Sequence, residues 1–118
     1  MKTKETFKDK LEWIYIKEKD ISITKNQMFN NFAYEDILKE VKEEEIADYN
    51  LLQWLRNNKK YQKHFLKFWV YVPNPDEISR KKYVARFYVD SDWADLDCYR
   101  NPAGSDSPLG VFLVRKGK

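Results

Sequence analysis

The chain has 118 residues, of which 42% are hydrophobic, 16% aromatic and 35% charged, with a formal net charge of +3. This excludes a disordered polar chain, which would lack the aromatic and apolar side chains needed to form a core; the length is that of one domain able to fold without a metal or disulfide staple. The lone Cys98 excludes an internal disulfide, and the longest apolar run, 65–72, is interrupted by Lys67 and falls far short of the about 20 residues that cross a membrane.

The first ten residues, MKTKETFKDK, contain no apolar stretch of the kind that directs secretion. The chain therefore reads as a single globular domain, 1–118, cytoplasmic and without membrane contact. Charge is unevenly placed. Residues 59–118 carry twelve Lys and Arg against seven Asp and Glu, whereas residues 1–58 carry ten against twelve.

Along the chain, Phe7, Leu11, Ile14 and Tyr15 fit one helical face, although Trp13 to Lys17 also alternates as a strand would. The helical reading is taken to about Lys17, followed by a loop through EKDISITKNQ. Tyr34, Ile37, Leu38 and Val41 recur at helical spacing after a candidate cap at Asn31. Asp48 or Asn50 is placed to cap a third helix carrying Leu51, Trp54 and Leu55. Every proline and glycine lies beyond residue 72, and both interrupt regular structure. The aromatic and β-branched runs 64–72, 81–89 and 109–116 predict an antiparallel meander, with LDCYR as a candidate fourth strand. The expected fold is α+β, a helical N-terminal half packed on a C-terminal sheet of three to four strands.

Chemistry is sparse. Asp90, Asp92, Asp95 and Asp97 offer the oxygen ligands that hard cations prefer. Their run lacks the central Gly and terminal Glu of a calcium loop, and two-metal sites draw carboxylates from separate elements. A polar bend starting at Ser91 or Asp92, with Trp93 folded back on the sheet, is the simpler reading. His64 is the only histidine and Cys98 the only thiol; a lone Cys on a strand is more often a small apolar core group than a nucleophile. No serine sits in a G-x-S-x-G turn, no glycine loop cradles phosphate, and neither metal nor cofactor is expected.

The most organised signal is charge. Asp36, Glu40, Glu43 and Glu44 would form one acidic helical face, and Arg56, Lys59, Lys60 and Lys63 one basic face. The basic face would continue toward Arg80, Lys81, Lys82 and Arg86, interleaved with Tyr61 and Tyr88. Nineteen aromatic rings are more than one small core readily encloses, and outward Tyr, Trp and Arg are the types that anchor protein interfaces. The expectation is a non-enzymatic binding protein with a protein partner, an inhibitor or accessory factor of the kind phages and mobile elements carry. Its binding residues are Arg56, Lys59, Lys60, Tyr61, Lys63, Lys81, Lys82, Arg86 and Tyr88. A nucleic-acid binder using the same cations ranks second, and a metal-dependent nuclease using Asp90 to Asp97 third.

Overall fold

The computed structural model describes residues 11–65, 68–89, 94–104 and 109–118. The first two elements are strands. Trp13–Ile16 (β1) and Ile21–Thr24 (β2) pair antiparallel, with Ile14 opposite Ile23 and Ile16 opposite Ile21. These four isoleucines enter one core, because alternate side chains of a strand share a face. The turn between them closes with the Lys19 amide donating to the Ile16 carbonyl at 3.1 Å. Asp20 adopts a φ of 49°, a conformation its short polar side chain tolerates, and the Tyr15 hydroxyl donates to its carboxylate at 2.7 Å.

Among the described residues, helix is confined to Tyr34–Ile37 (α1) and Tyr49–Arg56 (α2), apart from short 3-10 turns. The N-cap of α1 is Ala33, not Asn31, and no side chain caps it. Past Ile37 the acidic spacing itself opposes continuation, since Asp36, Glu40 and Glu44 would stack like charges at i, i+4. The chain instead breaks and forms a 3-10 turn at Glu43–Glu45. Asp48 does cap α2, accepting from the Leu51 amide at 2.9 Å. That helix ends at Arg56, where the Asn57 side chain donates to the Gln53 carbonyl at 2.9 Å and the Asn58 side chain accepts from the Lys60 amide at 3.0 Å. Such local bonds compete with a continuing helix. Neither charged stripe is therefore a helical face.

Among the described residues the strands form two antiparallel sheets of three. One runs β1-β2-β6, where β6 is Val114–Lys116; the other runs β3-β4-β5, built from Phe68–Val72, Val84–Val89 and Ala94–Arg100. The expected α+β architecture is thus overturned: the helical N-terminal half is replaced by a β-hairpin and two short helices. The expected meander is also rearranged. LDCYR lies in its third strand, while of the 109–116 stretch Val114–Lys116 pairs with β2 and Gly110 only bridges Val70. The bend placed at 90–93 lies outside the described residues. Among those described, no helix is long and apolar enough to cross a membrane.

Segment 109–113 joins the sheets. Leu109, Val111 and Leu113 enter a core with Tyr34, Ile37, Ile46 and Tyr71, whereas Phe112 enters the other core with Phe65, Phe87 and Leu55. Gly110 faces the Met28 carbonyl so closely that an added Cβ would lie 2.5 Å from that oxygen. Gly110→Ala should therefore lower stability in urea unfolding by about 1–3 kcal/mol or more, the range for forcing atoms into a packed site. Gly104→Ala, whose Cβ would meet its nearest neighbour at an ordinary 3.5 Å, should stay within about 0.5 kcal/mol.

Candidate interaction surface

The loop 73–83 between β3 and β4 is organised around a buried side chain. Asn74 is only 6% exposed. Its amide nitrogen lies 3.0 Å from Ser79 Oγ, 3.1 Å from the Tyr83 carbonyl and 2.8 Å from the Cys98 carbonyl on β5, while its oxygen accepts from the Asp76 amide at 3.0 Å. Two N–H groups thus serve three acceptors, so one is shared. The Asp76 carboxylate accepts from the Ser79 amide at 3.2 Å and starts the 3-10 turn Ser79–Lys81. Both the hydroxyl and the amide of Ser79 hold the Asp76 carboxyl below its ordinary range.

This scaffold presents what the loop displays. Ile78 is 86% exposed, and Tyr83, at 39%, meets the 67% exposed Tyr99 ring at 5.7 Å. Arg80, Lys81, Lys82 and Tyr83 line a cleft of about 180 Å³ together with Leu38, itself 39% exposed, and Pro102. In the cleft the buried Tyr34 hydroxyl donates to Glu43 at 2.9 Å, and Glu43 lies 3.9 Å from Arg80. Burial first, and then the Glu43 charge, push the Tyr34 hydroxyl far above its ordinary titration range. It is therefore a permanent donor.

The proposed binding residues fall into three places. Near α2, Arg56 lies 3.4 Å from the Gln53 side-chain oxygen, while Lys59 and Lys63 are exposed. Tyr61 is buried with its hydroxyl donating to Glu18 at 2.7 Å, and Lys60 sits 3.9 Å from Glu18 and 5.1 Å over the Tyr61 ring. On the second sheet, Arg86 lies 4.9 Å over the Trp69 ring and 3.4 Å from Asp97, and Tyr88 meets Trp69 at 4.9 Å. Of these cations, Lys60 and Arg86 are held by rings and carboxylates of their own chain. Lys81 and Lys82 stand at the cleft rim, exposed, and no described residue forms a hydrogen bond or ion pair with their side chains.

Sequence reasoning missed Asn74, Ile78, Leu38 and Tyr99. The available signal was Ile78, an isolated large apolar residue in the polar run PNPDEISRKK. Asp97 is paired, Asp95 is exposed, and Asp90 and Asp92 lie outside the described residues. Among the described residues no three of His, Cys, Asp and Glu are grouped as metal ligands. Burial, and then the Asp76 and Asp97 charges, push the Cys98 thiol up, the opposite of what activates a thiolate nucleophile.

No protein-family model, curated protein or solved structure matches the chain.

Asn74→Ala should leave buried acceptors unpaired and cost about 1–3 kcal/mol, with exchange of the Arg80, Lys82 and Tyr83 amides accelerating in hydrogen-exchange measurements. Those amides bond to Asp76 and Ser79 carbonyls. The depressed Asp76 pKa carries a further expectation. The unfolded chain protonates this carboxyl first, so its contribution is present above the ordinary carboxylate range and lost as pH falls below about 4. Protection of the same amides should fall on acidification, and Asp76→Asn should flatten that dependence.

Proposed function

We propose that the chain is a non-enzymatic binding protein that occupies the surface of another protein, in the manner of an inhibitor or accessory factor. The contact is made through the 78–83 turn, Tyr99 and the Leu38 wall of the cleft. One observation carries this reading: Ile78 and the Tyr83–Tyr99 pair stand exposed beside Arg80, Lys81 and Lys82 on a loop pinned by Asn74. Apolar and aromatic anchors ringed by cations supply both contact area and orientation. A surface already ordered loses less entropy on binding.

Nucleic acid is the weaker partner for this surface. The Glu43–Glu45 turn adjoins the cleft through Glu43, and carboxylates beside a phosphate-binding site oppose it. Two cations that would extend a basic ridge, Lys60 and Arg86, are instead engaged with Glu18, Trp69 and Asp97.

The test is comparative affinity capture from the native host, using the wild-type chain and an Ile78→Ser/Lys82→Glu/Tyr99→Ser variant whose thermal unfolding matches it. Proteins held by the wild type should be lost from the variant. Identical recovery on both baits would overturn the surface assignment. Tight, steeply salt-dependent binding of mixed oligonucleotides would overturn the choice of partner.

A further inference from the structure

Glu43 belongs to two concavities. On one side it lines the basic cleft; on the other it lines, with Glu44, Ile46, Asp48 and Pro73, a groove of about 410 Å³. Pro73 precedes the Asn74 that lines the cleft, so the two hollows meet along the chain as well as at Glu43. Glu44, Ile46 and Asp48 then continue into a third hollow of about 340 Å³ with the partly buried Ile21, Leu51 and Val114. The result is a strip with two ends of opposite sign. One end presents Arg80, Lys81 and Lys82 with Ile78 and Tyr83; the other presents Glu44 and Asp48 around an apolar floor, and Glu43 lies between them. Lys19, which also lines the third hollow, is engaged 5.1 Å over the Trp54 ring.

We infer that this strip closes on a second copy of the same chain, the basic turn of each protomer entering the acidic groove of the other. A two-fold contact requires every surface to carry both halves of the complementarity, and this strip carries them side by side. An unrelated partner would need the reversed arrangement independently, whereas a second copy has it by construction. Within one chain the two halves already touch at the Glu43–Arg80 pair, 3.9 Å apart, which marks the seam near which the axis falls. The net charge of +3 is too small to hold two copies apart. The inference rests on reading the 78–83 turn as a recognition surface, and it assigns that surface an occupant when no other protein holds it. Binding of a different partner then competes with the dimer.

The test is sedimentation velocity of the full chain at low ionic strength across roughly 1 to 300 μM, the range in which a small, partly polar interface titrates. The wild type should shift from monomer to dimer, and added salt should reverse the shift. Glu44→Lys and Lys81→Glu/Lys82→Glu, all at exposed positions, should each weaken self-association about tenfold or more. The two variants mixed should form a heterodimer, because one contact is then wild type and the other is reversed on both sides. A wild-type chain that stays monomeric throughout, or variants that fail to associate when mixed, would overturn the inference. A monomeric wild type that still loses captured proteins on the Ile78→Ser/Lys82→Glu/Tyr99→Ser change would refute self-association alone.

Discussion

The backbone of residues 109–113 is the constraint on which both sheets depend. Its groups bond to stretches remote from one another. Leu109 accepts from Asn31, Gly110 from Tyr71 and Phe112 from Ala47, while Val111 exchanges both bonds with Met28. Leu113 accepts from the Thr24 amide and donates to the Thr24 hydroxyl at 3.0 Å. These residues are almost fully buried, where an unpaired backbone group would be costly, so each partner stretch must be in place for the others to be satisfied. Val70 of β3 bridges Gly110, and β6 follows directly to complete the first sheet. Thr24 and Leu113 are 89 residues apart in sequence; pairing at that range demands loop closure before any reward and makes for slow, cooperative assembly.

The aromatic surplus is resolved by a second device. Rings that cannot enter the core lie half-buried under cations: Arg115 lies 4.2 Å over Trp13, Lys118 5.1 Å over Tyr15, Lys19 5.1 Å over Trp54 and Arg86 4.9 Å over Trp69. The aliphatic stem shields the ring while the charged head stays in water. This arrangement uses Lys19, Arg86, Arg115 and Lys118 as covers for rings. Among the described residues, the Arg80 to Lys82 turn sets three consecutive cations beside the exposed Ile78 and Tyr83. The proposed surface is thus defined as much by where Lys19, Arg86 and Arg115 are engaged as by its own composition.

Legibility followed how much of each element's signal lies in its own residues. The Asp48 cap rests on an amide of the adjoining turn, and the strands within 64–72 and 81–89 show in their own aromatic and β-branched composition, so these patterns were visible. Trp13–Ile16 alternates as a strand, but Phe7, Leu11 and Ile14 also fit a helix, and only the pairing of Ile14 with Ile23 decides between them. The helical stripes were misread because spacing was counted without the cost of stacking Asp36, Glu40 and Glu44, or of Asn57 and Asn58 competing for the backbone. At the surface, Lys81 and Lys82 were legible as exposed cations. The role of Asn74 was not, since its partner Cys98 carbonyl is supplied by a strand 24 residues away.

That long-range bond also explains how the turn holds its display. An exposed Ile78 gains nothing from the core, and three consecutive cations repel one another, so the 78–83 conformation has little intrinsic preference to sustain it. Its stability comes instead from Asn74, which ties the turn to β5 next to an irregularity in the β4–β5 register between Val84 and Arg86. At that irregularity the Tyr99 amide turns to the Asp97 carboxylate at 3.0 Å, while the Tyr99 ring stands beside Tyr83. An interrupted strand register re-aims side chains and blunts a free sheet edge. Here the same departure from regular pairing accompanies the loop anchor and one of the exposed aromatic residues beside it, so the position of the surface follows from the sheet and not from the loop sequence alone.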